Sequence, residues 1–218
     1  SAIAGLKGAC DLINKPRSGP PTKIDEYFDK QMKPAAVNAG LGKTLLEGGA
    51  PDCGGTVPAE AGGANVVDLI NAAKAKLSAA ADPKVTDGKT GTLQEMGTLV
   101  PGIEDAKVKD LAAVFDTVTK EELKKATDII GLAQVLAKDP LKPPTAADNN
   151  NGATIDAQTK GLADQVELAR GAVVKEAASL AASVKSLEEI IVKAKTEISD
   201  EAGKGSLTDT ITLNKGLK

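Results

Sequence analysis

Two short strings in this chain end as a phosphate-binding loop ends: GLGKT at 40–44 and DGKT at 87–90. In such a loop, successive backbone N–H groups cradle phosphate oxygens, the lysine reaches the outer ones, and a further glycine is needed five residues before the Gly-Lys pair. Val37 and Pro83 stand in those places. No strand pattern precedes either string, so nucleotide binding is not expected. The tract AADNNNGATIDAQ, 146–158, has the polarity of a calcium loop. With Gly152 at the sixth loop position, Ala147 falls at the first and Gln158 at the twelfth, where carboxylates are required. The tract reads as a polar turn.

Acid–base and nucleophilic chemistry find no constellation either. The chain has no histidine, which removes the commonest general base, the Ser-His and Cys-His pairs, and most zinc and iron sites. Glu121-Glu122 and Glu188-Glu189 are carboxylate pairs in sequence, but neighbours on a helix diverge by about 100° and do not converge on one substrate. They read as solvated surface. No catalytic, cofactor-binding or metal-ligating residue is assigned, no cofactor is expected, and the chain is read as a non-enzyme.

Two thiols remain. Cys53 lies in PDCGG, which reads as a flexible, exposed stretch, and Cys10 lies in the first apolar segment. An exposed free thiol is a liability and the count is even, so a Cys10–Cys53 disulfide in an oxidising compartment is expected. Two unrelated thiols are the competing reading. No Asn-x-Ser/Thr sequon occurs, so N-glycosylation is not expected.

Composition bounds the scaffold that would hold such groups. Hydrophobic residues make up 41 % of the 218 positions, enough for a core. That core is built from small side chains: there are 35 Ala and no Trp, and the aromatics are Tyr27, Phe28 and Phe115. Alanine buries little area but favours helix and lets helices approach closely. The net charge is −3 with the signs interspersed, and Arg occurs only at Arg17 and Arg170. Without a basic stripe or stacking aromatics, nucleic acid is not expected as a partner. No apolar run approaches the ~20 residues of a membrane span. The segment SAIAGLKGAC lacks a signal-peptide core, so any leader is expected to be removed already, and TITLNKGLK carries no lipidation motif.

Periodicity then places helices at about 2–14, 24–47, 64–82, 103–139 and 155–202, with loops at 48–63, 83–102 and 140–154. The second helix is expected to be interrupted near Pro34 and to stop at Gly48-Gly49. Around Asp87-Gly88, a short hairpin and an irregular loop fit equally well. The string TKEE at 119–122 is a capping box that either starts a new helix or sits inside a continuous one. The break at 140–154 suits the turn of an antiparallel hairpin between 103–139 and the long helix.

In that long helix, Leu162, Val166, Ala169, Val173, Ala177, Leu180, Val184, Leu187, Ile191, Ala194 and Ile198 form a heptad seam with one inserted four-step near Val173. Lys185, Glu189, Lys193 and Glu197 form a charge ladder on the other face. Gly171 beside the seam suggests a close crossing or a bend. Forty-odd residues give roughly 65 Å at 1.5 Å each, against a diameter near 40 Å for a compact chain of this length. The expected fold is all-α: one elongated antiparallel helical bundle over 1–218 with long coiled-coil-like helices. Earlier helices of the same chain are expected to cover the seam; a parallel homodimeric coiled coil is the competing explanation.

The stretches NAAKAKLSAAADP and KEAASLAASVKSLEEIIVKAKTEI, with the absence of His and Trp and the expected disulfide, resemble the alanine-rich surface coat proteins of trypanosomes, the glutamic acid/alanine-rich proteins of the insect-stage coat among them. The resemblance implies a helical core similar to variant surface glycoproteins. It also implies an extracellular protein on the plasma membrane, held by a glycosylphosphatidylinositol anchor absent from this chain, with neighbouring coat molecules as partners. That family brings no catalytic residues. The role would be a steric protective layer. Two other readings stand beside it. One is a receptor or adhesin that binds a host or vector protein through loops 48–63 and 140–154. The other is an intracellular coiled-coil scaffold, which requires Cys10 and Cys53 to be reduced.

Overall fold

A computed structural model describes residues 3–59, 65–81, 105–149 and 153–204, with the backbone alone at 76–81, 105–119, 153–156, 190 and 193–204. The fold is mostly helical, with no strand among the described residues. The helices are α1 (Lys7–Ile13), α2 (Lys23–Tyr27), a π turn (Phe28–Met32), α3 (Lys33–Glu47), α4 (Val66–Ala81), α5 (Asp105–Leu136), a 3-10 turn (Ala146–Asp148) and α6 (Ala153–Lys204). The hairpin candidate at Asp87-Gly88, the second Gly-Lys-Thr string and the Gly152 turn lie outside the described residues.

Local chemistry explains several boundaries. α2 starts at Thr22, whose hydroxyl accepts from Asp25 N–H while the Asp25 carboxylate accepts from Thr22 N–H at 2.7 Å. Thr145 and Asp148 repeat this reciprocal box at the 3-10 turn. Both boxes use Asp, and periodicity alone puts the helix start one residue late, at Ile24. The TKEE string lies inside α5, which runs unbroken from Asp105 to Leu136, because the residues before it are themselves helical.

The interruption expected at Pro34 takes a particular form. Lys33 N–H donates to the Phe28 carbonyl, five residues back. A proline ring collides with the carbonyl four residues before it and offers no N–H. The wider π turn immediately upstream relieves that crowding, so the chain passes from α2 into α3 without leaving the helical path. α3 then ends where expected: Gly48 has φ +82° and its N–H closes on the Thr44 carbonyl. Few residues besides glycine adopt that φ readily.

The chain divides into two compact units, Ser1–Val67 with Asp128–Ala181, and Asp68–Thr127 with Ala182–Lys218. In the first, one core joins Leu6, Cys10 and Ile13 to Ile24, Phe28, Met32 and Ala36, and these to Ala163, Val166 and Ala169 of α6. The α6 seam in this unit is therefore covered by helices of the same chain. α1 packs on α3, and α2 packs on the 3-10 turn. In the second unit, the buried side chains include Ile70 and Ala73 of α4, Leu123 and Ala126 of α5, and Val184, Leu187 and Ile191 of α6. Their three- and four-residue spacing is that of one apolar helix face.

Along α6, Val166, Ala169, Val173, Ala177, Val184, Leu187 and Ile191 are buried as the seam requires, while Leu162 and Leu180 are half-buried. The side chains of Ala194 and Ile198 lie outside the described residues. Lys185 and Glu189 of the charge ladder are exposed. So are Glu121, Glu188 and Glu189 of the carboxylate pairs, whereas Glu122 is half-buried and not the solvated residue expected.

Candidate functional site

The GLGKT string is a packing element, and each of its polar or small residues has a structural partner. A Cβ on Gly40 would lie 3.4 Å from the Cys53 backbone nitrogen, and one on Gly42 would lie 2.9 Å from Val173 Cγ1 and 3.6 Å from the Ala133 carbonyl. Gly40 thus admits the loop after α3, and Gly42 admits α5 and α6. Lys43 pairs with Asp52 at 3.2 Å, and Thr44 is buried. The close crossing suggested for Gly171 occurs at Gly42 instead; a Cβ on Gly171 would meet nothing within 4 Å.

Cys10 and Cys53 are joined in a disulfide across 43 residues, with Cα atoms 5.4 Å apart. This distance is ordinary for a bridge. Cys10 is buried in the core, and Cys53 is half-buried against it. The PDCGG stretch, read from sequence as flexible and exposed, is instead tied down at several points. Asp52 accepts from Leu6 N–H at 2.7 Å and from Lys43. Burial works to raise the Asp52 pKa, but the Leu6 amide and the Lys43 ammonium outweigh it and hold the carboxyl below its usual value. Gly55, at φ +95°, brings the strip against Val37 and Leu41. Glycine and proline content signals a loop, but it does not reveal that the loop is bridged to a buried partner.

The 140–149 stretch is clasped in the same way. Glu167 accepts from Leu141 N–H at 2.9 Å and receives the Arg170 guanidinium, which also donates to the Ala137 carbonyl at 2.9 Å. Hydrogen bonding from Arg170 lowers the Glu167 pKa, against the effect of burial, and the same pair raises that of Arg170. Tyr27 Oη donates to the Lys142 carbonyl. Burial first, then the charges of Asp148 and Asp164, push the Tyr27 phenol up to about 12.

Beside these ties lies the segment between α1 and α2. Arg17 stacks its guanidinium 3.7 Å from the centroid of the Phe28 ring and pairs with Asp25 at 3.3 Å. The Thr22 hydroxyl, then the Arg17 charge, hold Asp25 below its ordinary value in spite of burial. Two hollows flank Arg17. One, of about 240 Å³, is lined by Lys15, Arg17 and Lys33 together with Asp25 and Asp29. The other, of about 680 Å³, opens between residues 12–18 and residues 158–165 of α6. Its walls carry Leu12, Phe28 and Leu162, the amides Gln158 and Gln165, and the cations Lys15 and Arg17, with no acidic side chain among the described residues. The signal available in sequence was slight: Arg17 is one of only two arginines.

Among the described residues no cluster of three metal-ligating side chains occurs, and no helix is long and apolar enough to cross a membrane. Among the described residues the chain thus offers a stapled helical unit whose candidate site is the cationic, partly apolar cleft beside Arg17. No family model, curated protein or solved structure matches it.

Proposed function

We propose that this chain is a non-enzymatic surface protein of the protective-coat kind, whose helices form an elongated antiparallel bundle. The observation that carries the reading is α6, 52 residues without a break. At 1.5 Å per residue such a helix runs for about 78 Å, a length suited to reach or shielding. The antiparallel arrangement is supported by contact order: the Ala137 carbonyl meets Arg170, and Leu141 N–H meets Glu167, four residues further on meeting three residues back. Attachment to the outer face of a plasma membrane through a lipid anchor outside this chain, with other coat molecules as neighbours, belongs to the same proposal.

Small-angle scattering on the purified chain tests the rod. A radius of gyration near the compact value of about 17 Å for this length overturns it. Antibody labelling of intact against permeabilised cells tests the location, and labelling only after permeabilisation overturns that.

A receptor or adhesin is the second reading. It is favoured by the loops at 48–59 and 140–149, which are held in one arrangement by the disulfide, Asp52, Glu167 and Tyr27. Pre-organised loops lose little freedom on binding. Capture of a host or vector protein that is lost when those loops are exchanged would favour this reading over a passive coat.

A further inference from the structure

We propose that the larger hollow beside Arg17 is a binding site for a small amphipathic monocarboxylate, its carboxylate against Lys15 and its apolar body against Leu12 and Leu162. Three observations carry this. The first is charge. In a chain of net charge −3, the described walls of this hollow hold two cations, Lys15 and Arg17, and among the described residues no acidic side chain lines it. Arg17 is already offset by Asp25, whereas Lys15 has no ion-pair partner among the described residues. The smaller hollow differs, since Lys33 there is matched by Asp29.

The second observation is the apolar wall. Leu12 is 58 % exposed at the hollow, an unusual state for a leucine on a helix whose other apolar residues, Ala9, Cys10 and Ile13, are buried. Leu162 faces it from the edge of the core. An apolar ligand body would cover both and gain the usual benefit of removing such surface from water. The third is space. Gly161 lies on the α6 wall, and a Cβ there would meet nothing within 4 Å. Gln158 and Gln165, two helical turns apart, flank that gap and supply amide donors for a carboxylate or its water. A volume of about 680 Å³ is within the range of small-molecule sites.

The test uses the full chain and three probes below their micelle-forming concentrations: decanoate, decanol and decyltrimethylammonium. Binding is read by amide chemical shifts and by calorimetry. Decanoate is expected to shift amides at 12–18 and 158–165 and to bind at least about fivefold more tightly than decanol, the gain of one charge-assisted contact. The cation is expected not to bind. Gly161→Leu, which fills the gap with a good helix former, is expected to abolish binding with helicity unchanged. Lys15→Gln, a surface change, is expected to bring decanoate down to the affinity of decanol. Equal binding of decanoate and decanol by the unaltered chain, decanoate binding that survives a folded Gly161→Leu, or shifts confined to other residues overturns the proposal. None of these outcomes depends on where the protein resides, so they are separable from the coat reading.

Discussion

A methyl group placed on Gly42 would lie 2.9 Å from Cγ1 of Val173. Real Cβ atoms do not approach a neighbour so closely, so this glycine sets the distance at which α3 meets α6. The neighbour is itself fully buried.

Gly42→Ala is therefore expected to destabilise the protein by about 1–3 kcal/mol, the range for overpacking, although alanine has the higher helix propensity. Adding Val173→Ala should recover part of that loss, because the clash and the cavity offset one another. A double-mutant cycle in urea measures the coupling. Additive effects would show that the two residues do not meet.

The opposite outcome is expected at Gly131 and Gly171, where an added Cβ meets nothing within 4 Å and the backbone is helical. Gly131→Ala and Gly171→Ala should each raise stability by up to about 1 kcal/mol through helix propensity and the reduced entropy of the unfolded chain. Thermal melts followed by circular dichroism suffice, and a fall in Tm would contradict the open surroundings found at these positions.

Tyr27 gives the protein an alkaline limit. Its phenol titrates near 10 when unfolded and is pushed up to about 12 in the fold, chiefly by burial. The folded state holds the proton more tightly, so this contribution is complete below pH ~10 and is lost as pH rises through ~12. Tyr27→Phe removes both the titration and the bond to the Lys142 carbonyl. The stability gap between wild type and variant should be about 1 kcal/mol at pH 8, and it should shrink or reverse between pH 10 and 12. Urea unfolding of both proteins across that range measures it, and a gap independent of pH would count against the buried phenol.

Reduction should loosen the first unit. A bridge across 43 residues limits the unfolded chain by about 4 kcal/mol on loop-closure entropy. Treatment with a reductant, or Cys10→Ala with Cys53→Ala, is expected to lower stability by about 2–4 kcal/mol. Hydrogen exchange should quicken first at 50–59 and 3–6, which the bridge and Asp52 hold together. Unchanged exchange there would show that the loop is held without the bridge.

The sequence by itself determined the helices. Alanine content, the three- and four-residue spacing of apolar positions, and the breaker at Gly48-Gly49 are local signals, and helix formation is a local event. The α6 seam was legible for the same reason: a period written in consecutive residues needs no knowledge of what packs against it. Only the tertiary structure decided the meaning of GLGKT, of PDCGG and of Arg17. Gly42 is explained by Val173, Lys43 by Asp52, Cys53 by buried Cys10, and Arg17 by Phe28 and Asp25. Val173 and Cys10 are distant in sequence and the other partners lie beyond a turn, and short strings carry no information about which surface they will meet. The cleft beside Arg17 follows from the same cause. Its walls come from residues 12–28 and 158–165, which become neighbours only when Ile13, Phe28 and Val166 share one core.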